Sequence, residues 1–198
     1  TAVESLRAGK IVGLPTETFY GLSVDATQSS ALTRLNSLKL RPEGAPILIL
    51  VDSAAMARDL AGELPPVFDE LVEMFWPGPL TLILPARPEL SRRLTGGTGG
   101  VGLRQPRHEV TCRLIAALDL PVTGTSANRA GQPPLTGATA VEQEFGDDLA
   151  LILDAGPWPG GLPSTVVKIV EDPPRLVRAG AVSVDDIREV IPNLVVDR

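Results

Sequence analysis

The sequence predicts a mixed α/β fold in which helices pack against a sheet, and three observations carry that expectation. Short runs of strand-forming residues recur along the chain. Stretches with helical spacing lie between several of them, and glycine and proline gather between the elements rather than inside them. The strand candidates, in order, are residues 11–14, 47–51, 80–84, 101–104, 122–125, 151–154, 165–170 and 175–177. Two of them, in "PILILV" and "LILP", are apolar at consecutive positions, as expected of central strands covered on both faces. Ala31, Leu32, Leu35 and Leu38 form the i, i+1, i+4, i+7 stripe of a helix that buries one face. Val110, Leu114, Ala117 and Leu118 repeat that stripe, and Val184, Ile187, Val190 and Ile191 form another.

At 198 residues and 43% hydrophobic content the chain can bury one core of substantial size, so residues 1–198 are expected to form a single domain. Glycine and proline number 19 each, proline at about twice its usual share. They cluster in "WPGPL", "TGGTGGVG", "AGQPPLTG" and "AGPWPGGLPST", which are too short for interdomain linkers. We read these as ordered loops at strand ends, where open sheets bind ligands. "TGGTGG" reads equally as a mobile lid or a plain hairpin connection, because glycine supplies either freedom or a special turn.

A net charge of −6 argues against a surface coated in positive charge for non-specific nucleic-acid binding. Locally the balance reverses: between Arg87 and Arg113 there are six arginines against Glu89 and Glu109. Guanidinium forks grip phosphates and carboxylates bidentately, although an arginine-rich composition or heat adaptation would give the same bias. Cys112 is the single cysteine, so an internal disulfide and multi-cysteine metal sites are excluded; within its helical stripe it reads as a small core residue. His108 is the single histidine, which excludes histidine-cluster metal sites. The opening "TAVESLRAGK" has no signal-like pattern and no apolar run approaches a membrane span, so a cytoplasmic location without a membrane partner is expected.

None of the common catalytic signatures is present: no P-loop, no G-x-S-x-G elbow, no H-E-x-x-H. An enzyme built from this chain would work by positioning reactants and stabilising charge, as phosphoryl and adenylyl transfer allow. The polar residues at strand ends are the informative ones. "GLPTETFYGL" offers Thr16, Glu17, Thr18 and Tyr20 after a strand, and "VTGTSANRAG" offers Thr123, Thr125, Ser126 and Asn128. Ser164 and Thr165 enter one strand and Arg178 follows another. Such groups bind ligands or make ordinary turns and helix caps, and residue type alone does not choose. In "LNSLKLRPEGAPILIL", Lys39 and Arg41 stand where a helix hands over to a strand: either the turn leaves its charges in water or it holds an anion.

In their order along the chain, "LPTETFYGL", "KLRP", "WPGPLTLILP", "VGLRQPRH", "TSANRAGQPPLT", "GGLPSTVV" and "VRAG" resemble the YrdC/TsaC family of threonylcarbamoyl-adenylate synthases. The resemblance runs from Gly9 to about Ile191. It implies a twisted, mostly mixed or antiparallel sheet flanked by helices, with a concave, positively charged ligand cleft. It also implies a nucleotidyltransferase that combines L-threonine, bicarbonate and ATP into threonylcarbamoyl-AMP and pyrophosphate, for threonylcarbamoyladenosine modification of tRNA. By this resemblance Lys39, Arg41, Asn128, Thr136 and Arg178 bind ATP, with Lys39 and Arg41 on its phosphates. Thr16, Arg104, Ser126 and Ser164 form the threonine pocket, with Arg104 facing the carboxylate. ATP is then a substrate accompanied by magnesium (Mg2+), with no protein-ligated metal and no covalent nucleophile. The implied macromolecular partners are tRNA or double-stranded RNA and the proteins that transfer the threonylcarbamoyl group onward.

The chain departs from the family pattern at Gly44, Ala45 and Pro46, at Leu50 where some members have histidine, and at Gly100 where serine or threonine is common. These departures put affinity in question more than reaction type. A non-catalytic module that binds double-stranded RNA or tRNA is the competing reading; 4% aromatic content and the acidic net charge weigh against it. A carbamoylating relative acting on another amino acid is a third. Arg41, at a turn, is expected to be exposed and to contribute little to stability.

Overall fold

The computed structural model describes residues 1–42, 44–129, 131–156 and 161–196. Strands and helices alternate: α1 (Ala2–Arg7), β1 (Val12–Leu14), β2 (Gly21–Ser23), α2 (Ser29–Lys39), β3 (Ile49–Leu50), α3 (Ala54–Leu60), α4 (Val67–Phe75), β4 (Leu80–Pro85), α5 (Arg92–Thr95) and β5 (Gly100–Arg104). After these come α6 (Glu109–Leu118), β6 (Val122–Thr123), β7 (Thr125–Ser126), α7 (Ala138–Phe145), β8 (Leu151–Ile152), β9 (Thr165–Lys168), β10 (Arg175–Arg178), α8 (Val184–Val190) and β11 (Val195–Val196). The fold is mixed α/β, with two mixed sheets where the resemblance implied one. Four strands order as β7-β2-β1-β8 and seven as β11-β10-β9-β4-β5-β3-β6.

The two central apolar strands sit where their sequences require. β4 runs antiparallel to β5 and parallel to β9, and β3 lies between β5 and β6. Their side chains Leu80, Leu82, Leu84 and Ile49 are buried in a main core that also takes Leu32, Leu35 and Phe68 from the helices, while Leu50 is buried in a second cluster. That cluster also holds Leu6, Val12, Ile115 and Leu118, tying α1 and α6 to the smaller sheet. Cys112 is only half-buried, with its thiol 3.0 Å from the Pro106 carbonyl, so it borders the core rather than filling it.

The expected strands 151–154 and 165–170 shorten to Leu151–Ile152 and Thr165–Lys168, and two further expectations change for local reasons. The run 47–51 shortens to Ile49–Leu50, because the Ile47 amide leaves the ladder and donates to the Leu94 carbonyl at 2.9 Å. The run 122–125 divides at Gly124, where the chain crosses from the larger sheet to the smaller. A Cβ at Gly124 would stand 2.6 Å from Leu50 Cγ, so this crossing requires glycine. "TGGTGG" lies in the connection between the paired strands β4 and β5, with Gly96 (φ 62°) as the left-handed cap of α5. Helix α2 ends on Leu40 in the left-handed region, and the amides of Leu40 and Arg41 return to Ser37 and Asn36. That turn delivers Arg41 to the cavity described next and Lys39 to the 126–128 loop beside it. Among the described residues no helix is long and apolar enough to cross a membrane.

Candidate active site

A cavity of about 710 Å³ opens on one face of the larger sheet. Because alternate strand residues share a face, β4 contributes Thr81 and Ile83, β5 contributes Gly100, Gly102 and Arg104, and β9 contributes Val166 and Lys168. The loop after β1, strand β7, and Arg41 with Pro46 complete the wall. Arg41, Arg104, Ser126 and Arg178, distant in sequence, thus meet around one hollow. Five basic side chains line it (Arg41, Arg104, Lys168, Arg175 and Arg178) and, among the described residues, no Asp or Glu does. Of the six arginines between positions 87 and 113, only Arg104 reaches this cavity.

Arg104 is 3% exposed and densely held. Its Nε donates to the Gly78 carbonyl at 3.2 Å, one terminal nitrogen donates to Thr18 Oγ1 at 3.1 Å, and the other lies 2.7 Å from Glu17 Oε1. That last contact is an ion pair without hydrogen-bond alignment: neither the Glu17 oxygens nor this nitrogen has a hydrogen-bond partner. Thr16 is buried and organises the same loop, donating to the Phe19 carbonyl at 2.6 Å while accepting the amides of Thr18 and Phe19. Across the sheet, Ser164 Oγ lies 2.9 Å from Thr81 Oγ1 and accepts from Arg178 at 3.0 Å. Arg178 also chelates the Ser164 carbonyl, at 3.1 and 2.8 Å. Burial, and then the neighbouring charge of Arg104, pull the Arg178 pKa down from its ordinary value.

Arg41 is not the exposed turn charge expected from sequence. It is half-buried, donating to Thr125 Oγ1 at 3.1 Å and to the Pro46 carbonyl at 2.7 Å, while its Nε is buried without a partner. Burial lowers its pKa, though a guanidinium stays charged at any physiological pH. The handover from α2 to β3 is therefore no ordinary turn with its charges in water.

Lys39 is 4% exposed and does not itself line the cavity. Its ammonium donates to the Ser126 carbonyl, to the Asn128 carbonyl at 2.7 Å and to Asn128 Oδ1 at 3.3 Å, so it fastens the 126–128 loop. Burial first, and then the charge of Arg41, push its pKa down to about 8. Ser126 donates to Asn128 Oδ1 at 2.6 Å, and the Asn128 amide donates to the carbonyls of Arg129 and Gln132. Ser126 lines the cavity, whereas Asn128 and Thr136 do not; Thr136 stands two residues beyond the cavity residue Pro134.

The sequence marks Glu17 and Thr18 only as polar residues after a strand, and gives no role to Thr81, Lys168 or Arg175. Lys168 and Arg175 face each other across β9 and β10, and both pair with Glu171, Arg175 at 4.0 Å. The signal was present in the alternation Val166, Lys168 and Arg175, Val177, but only the register shows that the basic positions share the face of Arg104. Three of the departures from the family pattern, Pro46, Leu50 and Gly100, line the cavity. Among the described residues there is no group of three or more His, Cys, Asp or Glu able to hold a metal ion.

The family model Sua5_yciO_yrdC, whose description is "Telomere recombination", matches residues 4–180. A threonylcarbamoyl-AMP synthase of Pyrococcus abyssi is 39% identical over 189 residues, covering 96% of this chain and 56% of its own length. One from Bacillus subtilis is 37% identical over 198 residues, covering 100% of this chain and 57% of its own. The chain thus spans little more than half the length of these two relatives. The crystal structure of P. abyssi Sua5 complexed with L-threonine superposes with a TM-score of 0.95 at 37% identity, over 99% of this chain and 58% of that one. The order of the motifs, the two mixed sheets around one hollow and these matches agree: the chain belongs to the Sua5/YciO/YrdC family.

Proposed function

We propose that this chain is a threonylcarbamoyl-AMP synthase, a nucleotidyltransferase that takes L-threonine, bicarbonate and ATP. The observation that carries the reading is the convergence of five basic side chains with the hydroxyls of Thr16, Thr18, Thr81 and Ser164 in one cavity. Cavities of 300–1,000 Å³ suit ligands of this size. Relatives that bear the synthase name, and a related structure that holds L-threonine, support the same activity.

The chemistry balances without a protein nucleophile. The amino nitrogen of threonine adds to the carbon of bicarbonate and water leaves, giving a carbamate. A carbamate oxygen then attacks the α-phosphorus of ATP; the bond from that phosphorus to the oxygen bridging to the β-phosphate breaks, and pyrophosphate departs. The protein's task is to bring two anions into line and to absorb charge on the leaving group. Arg104, with Thr16, Ser126 and Ser164, takes the amino acid and faces its carboxylate. Arg41 and Arg178 take the phosphates, with Lys39, Asn128 and Thr136 shaping the loop beside them. A guanidinium held with an unsatisfied buried Nε, as in Arg41, is costly for folding alone and fits an anionic partner. Magnesium enters on the nucleotide, as part of the substrate. Since the cavity draws on residues from Leu14 to Arg178, this reading treats the chain as one catalytic unit, cytoplasmic, whose product passes to tRNA through transfer proteins.

Purified protein given ATP, threonine and bicarbonate should release pyrophosphate only when all three are present. Release without threonine dependence would point to another acceptor. Failure to bind nucleotide, together with salt-sensitive tRNA binding, would favour the RNA-binding reading.

The reading also has a pH signature. Phosphates beside Lys39 stabilise its ammonium, so the pKa in the ATP complex lies above the value of about 8 in the free protein. ATP binding then takes up a proton, and the KM for ATP should rise as pH increases through about 8. Lys39→Arg, charged throughout, should flatten that rise; a profile unchanged by the substitution would mean that the phosphates do not act on Lys39 across the loop it fastens.

A further inference from the structure

Strand β5 carries two glycines on the cavity face before Arg104, Gly100 at its start and Gly102 in its interior. Glycine weakens a strand interior, and where it stands there the usual causes are a bulge, a tight bend or the close approach of another group. For Gly100 the fold supplies a cause, since a Cβ would lie 3.0 Å from Ile83 Cγ2. For Gly102 it supplies none. A Cβ there would meet only Leu48 Cδ1 and Thr81 Cγ2, both at 3.8 Å, an ordinary contact distance, and the backbone is not in the left-handed region. The pairing of Gly102 with Ile83 is also regular, without a bulge. The fold itself has room for a side chain at 102, and glycine there leaves the hollow above it open.

That hollow has a distinctive lining. Leu48 and the Thr81 methyl form an apolar floor, and the Thr81–Ser164 hydroxyl pair, 2.9 Å apart, stands beside it. Arg104 is two residues along the same strand face, about 7 Å away. A small amino acid bound with its carboxylate toward Arg104 would reach along this face toward Gly102. A β-carbon bearing one methyl and one hydroxyl matches an apolar floor flanked by hydroxyls.

We propose that Gly102 is a specificity-determining residue: it leaves open the subsite that takes the branched side chain of the amino-acid substrate. The assignment rests on the synthase reading above, and the experiment separates the two. Wild-type protein is assayed first for pyrophosphate release with threonine, serine and β-hydroxynorvaline; absence of any threonine dependence overturns the synthase reading and this assignment with it. If the wild type is active, Gly102→Ala places a methyl where the substrate methyl would lie. The expected result is a fall of about tenfold or more in kcat/KM for threonine and less than twofold for serine, with the thermal midpoint nearly unchanged. Thr81→Ser enlarges the same hollow while keeping its hydroxyl beside Ser164, and should shift preference toward β-hydroxynorvaline, mainly through KM. If the Gly102 variant does not fold, the Thr81 variant decides. Equal losses for threonine and serine in Gly102→Ala, or an unaltered preference in Thr81→Ser, would overturn the assignment while leaving the synthase reading intact.

Discussion

Arg104→Ala should raise the KM for threonine by about a hundredfold, the scale of a lost charge-assisted contact. It should also lower the unfolding free energy by about 3–5 kcal/mol, because Glu17 would remain nearly buried with its counter-charge gone. The two effects can be separated. In the double variant Glu17→Ala/Arg104→Ala the stranded carboxylate is absent, so chemical denaturation should show part of the stability restored. Threonine titration of the initial rate should show no recovery. A variant with an unaltered threonine titration would remove Arg104 from the amino-acid site, and a double variant as unstable as the single would mean that Glu17 is not what the arginine neutralises.

Arg41→Ala is the complementary case. We expect kcat/KM for ATP to fall by about two orders of magnitude, with the KM for threonine changed far less. The stability loss should be about 1–2 kcal/mol, set by the two hydrogen bonds to Thr125 and Pro46. It exceeds what an exposed turn charge would give and stays below that of Arg104→Ala, because no buried carboxylate is left behind. Turnover equal to wild type in a folded Arg41→Ala protein would contradict a phosphate role.

The legible parts of the fold were those written in local periodicity. The stripe at Ala31, Leu32 and Leu35 gave α2, and consecutive apolar residues gave β3 and β4 as central strands. Helix α4 carries an equally plain stripe in Val67, Phe68, Leu71 and Phe75. Strand β2, three residues long and begun by glycine, and β11, two residues long, have too little sequence to show a period. The division of residues 122–125 between two sheets depends on the fit of Gly124 against Leu50, which is tertiary information.

The site followed the same rule. Ordered motifs nominated its residues, and Arg41, Arg104, Ser126, Ser164, Arg178 and Thr16 do meet in one cavity. What they do when no ligand is present was hidden. The Glu17–Arg104 pair and the hold of Lys39 on the 126–128 loop each join residues far apart in the chain. Lys168 and Arg175 became visible only through the β9–β10 register. Charge counting along the sequence misled in one respect, because five of the six arginines in the basic stretch lie away from the cavity.

The central claim is that one hollow holds an amino acid on Arg104 and a triphosphate on Arg41 and Arg178 at the same time. A crystal structure of the protein with L-threonine and a non-hydrolysable ATP analogue tests it most directly. The account predicts both ligands together in the cavity, the threonine carboxylate at Arg104, its β-carbon over Gly102, and the phosphates at Arg41 and Arg178. Either ligand bound elsewhere, or the two displacing each other from the same residues, would contradict it.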